Sequence, residues 1–159
     1  MKRLLAILAA TLVLTAPVLA DGKIYVQLPD LSDISGAEAE SFLSAVVLAN
    51  VISSNCTDFA VTEEEWSLLT DSADILAHEQ LRLSVDTYDS QYYGPAFATL
   101  DKADACATHG PEVQPVIDKI VDLGGSREPL PDQDAAYQAE QARQAVWDAA
   151  TTPGKTKTK

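Results

Sequence analysis

Two cysteines constrain this chain more than any other feature. Cys56 sits in "VISSNCTDF" and Cys106, fifty residues later, in "ADACATHG". What they do depends on the compartment. Residues 1–20, "MKRLLAILAATLVLTAPVLA", begin with Lys2 and Arg3, continue with an apolar run from Leu4 to Leu14, and end with Val18 and Ala20 at the −3 and −1 positions. That is the pattern of a secretory signal peptide cleaved before Asp21. A membrane anchor is the competing reading, but the uncharged stretch from Leu4 to Ala20 is 17 residues, contains Pro17 and is followed by no basic stop-transfer cluster. Such a stretch lies at the bottom of the spanning range. Asp21, not a cysteine, stands directly after the cleavage point, so a lipid-anchored form is not indicated. Export places both cysteines where thiols oxidise. Three roles then stand open: a structural disulfide, reactive thiols, or part of a metal site. A redox pair usually has Cys-x-x-Cys, which is absent, and zinc would need more ligands than His78 and His109 add. The disulfide is favoured. Closing a loop of this length stabilises by about 4 kcal/mol on the chain-entropy model.

Without residues 1–20 the chain has about 139 residues, 9 basic against 24 acidic, a formal charge of −15. Three of the basic residues fall in the terminal "KTKTK". Nucleic acid and anionic membrane surfaces are poor partners for such a body, because no basic stripe exists to displace counterions. The acidity favours solubility and specifies no activity. The length suits one domain small enough to gain from a covalent cross-link.

Periodicity divides the chain into helices. Residues 21–34 read as an extended arm in which Ile24, Val26 and Leu28 alternate. A helical domain is expected over residues 35–124. Ser35 and Glu38 have the spacing of a capping box, and helix 1 is expected to end near Ser54. Phe42, Val46, Ala49 and Ile52 form its main stripe, flanked by Leu43, Ala45, Val47 and Leu48, so this helix is apolar nearly all round and should be central. Thr62 and Glu65 predict a second capping box, with Val61 and Trp66 as a hydrophobic staple and Glu63–Glu65 facing the positive helix end. The stripe Trp66, Leu69, Ala73, Leu76, Gln80, Leu83 predicts a helix reaching about Tyr88. Gly94-Pro95 predicts a turn. A third helix is expected from Pro95 to Ala107 on Phe97, Leu100 and Ala107, stopped by His109-Gly110-Pro111. A fourth carries Val113, Val116, Ile117, Ile120 and Val121, with Gly124 as its C′ residue. Residues 125–132, "GGSREPLPD" with its leading glycine, read as a linker, 133–150 as a C-terminal helix, and 151–159 as a disordered tail.

Chemical motifs are sparse. His78-Glu79 starts like a zinc-protease helix, but Arg82 stands where the second histidine belongs. Placing Gly36 as the sixth residue of a calcium loop puts Leu31 first, which cannot ligate. Asp118 and Asp122 share a face that reads as solvated. Asn55-Cys56-Thr57 is a marginal glycosylation acceptor. No catalytic residues, metal site or cofactor are expected. Tyr88, Tyr92, Tyr93 and Phe97 cluster at the expected turn, where rings either cover a core edge or form a recognition surface. With Tyr137 and Trp147 of the last helix they are the candidate interaction surface.

The helix ending "ANVISSNC" and the later "ACATHGPEV" resemble a family of small exported proteobacterial proteins of unknown function. The resemblance covers about residues 28–123 and implies a helical domain stapled by a disulfide, with no activity to carry over. In "NCTDF" and "DACATHGPEV" the chain is also similar to the HdeA family of periplasmic acid-stress chaperones. The expectation is therefore an all-α, compact four- to five-helix domain closed by Cys56–Cys106. Its expected role is that of an exported non-enzymatic interaction protein, periplasmic or secreted, with an unknown protein partner and no membrane span after signal cleavage. An acid-stress chaperone is the alternative.

Overall fold

In a computed structural model, residues 22–151 are described; the expected signal peptide and the terminal tail from 152 lie outside them. Helix α1 spans Gly36–Asn55 and buries Ala39, Phe42, Leu43, Val46, Val47, Ala49, Val51 and Ile52. Burying each larger side chain contributes about 1.5–3 kcal/mol, and residues on every side of a helix can be buried only if partners surround it. Helices α2 (Glu63–Ile75), α4 (Gly94–Leu100) and α6 (Val113–Asp122) all pack against it. Of the two polar side chains buried in its second half, Asn50 donates to Thr70 Oγ1 of α2 at 2.8 Å and Ser53 to the Asn50 carbonyl at 3.1 Å. The protein is all-α, as the periodicity predicted, and the described residues form one helical domain.

Both ends of α1 follow from local chemistry. The Ser35–Glu38 capping box does not form: the Ser35 side chain caps nothing. Gly36 takes φ +56°, a left-handed turn open to glycine, and this bend separates Ser35 from the first helical turn. At the other end Cys56 is the C-cap, its N–H donating to the Ile52 carbonyl at 2.8 Å. Cys56 bonds Cys106, with Cα atoms 5.6 Å apart. Cys106 lies in the short helix α5 (Ala105–His109). Beside this bridge Gly110 lies so close to Phe59 that an added Cβ would stand 2.1 Å from the ring.

The Thr62–Glu65 capping box of α2 is present in both directions. Its stripe is displaced from the expected one. Trp66 is 40 % exposed, whereas Leu68, Leu69, Ala73 and Leu76 are fully buried. The helix does not persist to Tyr88. It closes in a π-turn over Leu76–Gln80, with the Leu81 N–H reaching back to the Leu76 carbonyl at 3.0 Å. Arg82 then takes φ +53°, unusual for a residue with a side chain.

Gly94-Pro95 is not a turn. Ser84 accepts from the Thr87 N–H and starts α3 (Val85–Tyr88), which runs through a second π-turn (Asp89–Tyr93) directly into α4. Pro95 has no N–H to give and its ring crowds the preceding turn; the wider turn just before it accommodates both defects. Nor is there one helix from Pro95 to Ala107. Residues 101–104 form a turn between α4 and α5, and Ala96 rather than Phe97 is buried. The face of α6 is as predicted, with Val113, Ile117 and Ile120 inward, and Gly124 follows at φ +100°.

The arm and residues 125–130 pair without making a sheet. Val26 and Pro129 form a single antiparallel bridge, flanked by Ser126 N–H to Gln27 O at 2.9 Å and Leu130 N–H to Tyr25 O at 2.8 Å. Pro129 cannot extend the ladder. Arg127 holds this connection down, its Nε on Glu65 at 2.9 Å and its Nη2 on Asp118 at 2.6 Å. Glu65 thereby serves the helix cap and the connection together. Helix α7 (Gln133–Thr151) completes the fold.

Reducing the disulfide, or replacing Cys106 by Ser, should lower unfolding free energy by about 4 kcal/mol in denaturant titrations. A loss below about 1 kcal/mol would show that the fold does not depend on the staple.

Candidate functional site

Helix α7 is rich in Ala and Gln, and its docking creates the feature that most departs from an ordinary helical core. On the side of α2 turned toward the arm lie Asp71, 2 % exposed, and Asp74, partly buried. Lys23 of the arm reaches Asp71 at 2.5 Å. From α7 come Glu140, 4 % exposed, and Arg143, which pairs with it. Gln144 also donates to Glu140 at 2.7 Å. The result is a buried polar layer between the arm, α2 and α7, around a cavity of about 220 Å³. Buried ions are tolerated only when paired, and the arm and α7 each supply one cation.

Aromatic rings continue the layer. Trp147 of α7 stacks on His78 at 4.9 Å, His78 meets Tyr88 edge-on at 6.0 Å, Tyr88 meets Tyr93 at 5.2 Å, and Tyr93 stacks on Phe97 at 6.3 Å. Tyr92 packs on Tyr88 at 6.3 Å. Of the six residues nominated from sequence, five thus belong to one row of rings, and His78 joins Trp147 to the rest. Within the row Tyr88 is buried, Tyr92, Tyr93 and Trp147 are half-buried, and Phe97 is exposed. Tyr137 stands apart, edge-on to Tyr25. Tyr88 is therefore a support for the surface rather than part of it.

Where α7 passes the end of α2, a cleft of about 390 Å³ opens between residues 78–83 and 143–150. Leu83, Val146 and Trp147 line it, together with Arg82, Arg143 and His78, and Glu79 stands on its wall. His78 Nδ1 and Arg143 Nε are buried with no hydrogen-bond partner among the described residues. Arg143 also lies over the Trp147 ring, 5.3 Å from its centre. Sequence reasoning read His78 and Arg82 only as an incomplete zinc motif and passed over Asp71, Asp74, Glu140 and Arg143. The Glu140–Arg143 spacing could have been noticed. Nothing in sequence shows that α7 lays it over α2.

The environment sets the protonation of these groups. Burial, reinforced by the charge of Asp71, raises the Asp74 carboxyl to about 6. Burial lowers His78 below its ordinary value, against the pull of Asp148 and Glu79. Burial also pushes the Tyr88 and Tyr93 hydroxyls upward. Among the described residues no group of three or more His, Cys, Asp or Glu is arranged to hold a metal, and no helix is long and apolar enough to cross a membrane. No protein-family model, curated protein or solved structure matches the chain.

The raised Asp74 has a defined pH signature. The folded state binds its proton more tightly than the unfolded state, so between the ordinary value of 3.8 and about 6 stability falls as pH rises. Asp74→Asn should therefore stabilise the protein at pH 7, by up to roughly 3 kcal/mol, and this gain should vanish near pH 4. Thermal melts across that range check it. Equal gains at both pH values would exclude a titrating Asp74.

Proposed function

We propose that the chain is an exported, non-enzymatic interaction protein of the periplasm. The observation that carries this reading is the continuous row of rings from the α7 cleft to the exposed Phe97, flanked in the cleft by arginines. Guanidinium groups donate hydrogen bonds and keep their protons near neutral pH, and indole only donates. Such groups grip a partner more readily than they transform one. Aromatic residues and arginine are also the side chains that dominate binding hot spots. Export is supported by the leader-like residues 1–20 and by the Cys56–Cys106 bridge, a bond that persists in oxidising compartments.

The acid-stress chaperone is the second reading. It has one supporting observation, His78, whose lowered pKa means that acid charges a ring packed against Trp147. The sign follows from linkage: stability held by neutral His78 is present above its ordinary value of 6.5 and is lost as pH falls below it. Asp74 works the other way, favouring the folded state as pH falls from about 6 toward 4. The two groups oppose each other between about pH 6 and 4, so together they supply no clear acid trigger, and the interaction reading is the stronger.

Capture from periplasmic extract with the mature chain, compared with Phe97→Ser, tests the proposal. A defined partner retained by the natural chain and lost with Phe97→Ser is expected, with the melting temperature of the variant little changed. Identical capture by both would remove the ring surface from the account. Light scattering of an aggregating client between pH 2 and 5 decides the second reading: protection there would favour the chaperone.

A further inference from the structure

The cleft between the end of α2 and α7 has features that docking alone does not require. It is bounded by the only non-glycine residue with positive φ among the described residues, Arg82 at +53°. A side chain in that conformation is strained, and such strain gathers at binding sites. The π-turn of Leu76–Gln80 immediately precedes it; such turns are frequent at functional positions. Two of the five buried polar side-chain atoms that lack a hydrogen-bond partner among the described residues, His78 Nδ1 and Arg143 Nε, belong to residues lining this one cleft. Arg82 is exposed and makes no ion pair or hydrogen bond among the described residues. The walls between these groups are Leu83, Val146, Ala150 and the indole of Trp147.

Size, shape and charge narrow the ligand. A volume of about 390 Å³ falls in the range of small-molecule pockets. Guanidinium is planar and matches a carboxylate with two parallel hydrogen bonds. The apolar walls suit a flat or branched hydrocarbon body. The chain carries a formal charge of −13 over its whole length, and Glu79 stands in the cleft itself, so a polyanion would be repelled where a single negative charge is tolerated. The geometry points to this cleft as a binding site for a small monoanionic carboxylate with one flat apolar body, the carboxylate on Arg82 and the body against Leu83, Val146 and Trp147. The assignment rests on the reading of the chain as a binding protein and names a ligand class for one end of its ring surface.

The test uses the mature protein with Trp66→Phe, which leaves Trp147 as the fluorophore of a chain with two tryptophans. The probes are phenylacetate, its neutral amide and acetate. Phenylacetate should change the fluorescence saturably, with both the amide and acetate at least about tenfold weaker. Arg82→Gly is the informative variant, because glycine accepts the left-handed conformation without strain. It should raise the melting temperature and weaken phenylacetate binding about tenfold, leaving the amide unchanged. A purely structural Arg82 would give the first effect without the second. Equal affinity for acid and amide, or no saturable response at millimolar phenylacetate, overturns the assignment. If the assignment falls while capture through Phe97 persists, the cleft loses its ligand and the interaction reading stands.

Discussion

The burial of α1 governs the rest of the fold. Its apolar residues point in nearly every direction, so no single partner helix can cover them. Three helices from separate stretches of sequence, α2, α4 and α6, close around it. Each is held by a different device. A reciprocal capping box fixes the start of α2, the π-turn lets α3 run into α4 past Pro95, and Arg127 ties the middle of α6 to the start of α2 through Asp118 and Glu65. The disulfide falls where α1 ends, so the C-terminus of the central helix is fixed to the segment that leads into α6.

Covering α1 leaves α2 with a second side to satisfy. That side carries Asp71 and Asp74, and in a chain so acidic the cations that answer them are few. Lys23 comes from the arm and Arg143 from α7, elements far apart in sequence. Helix α7 is drawn in by this charge arrangement and by ring contacts through Tyr137 and Trp147, because its own apolar residues form no continuous stripe. Docking by long side chains rather than by close backbone approach leaves gaps between the elements. The cleft beside Trp147 is one of them.

What sequence made legible was what nearby residues decide. The central helix, the Thr62–Glu65 cap, the inward face of α6 and the all-α class with its single bridge all rest on spacings of three or four residues or on compartment chemistry. Failures arose where tertiary packing overrode a local signal. Gly94-Pro95 carries a turn signature, yet the π-turn before it lets the helix continue. Trp66 has the position of a core residue, yet Glu65 is turned inward by Arg127 and the indole is left outside. The candidate surface was half visible. Tyrosines near a proline drew notice as a group, but the histidine that links them to Trp147, and the acids beneath α7, become significant only when elements more than sixty residues apart meet.

The central claim is that α7 is docked on the polar layer and so builds the cleft. Hydrogen exchange of the full mature chain, followed by mass spectrometry at neutral pH, reads this directly. Amides of α1 should exchange slowest, since their opening requires near-global unfolding. Amides of α7 between Glu140 and Trp147 should be protected well beyond the level of an isolated helix, because most helical stability in a protein comes from tertiary packing. Exchange of that segment at unprotected rates, alongside a protected α1, would mean that α7 does not dock, and the cleft would have no second wall.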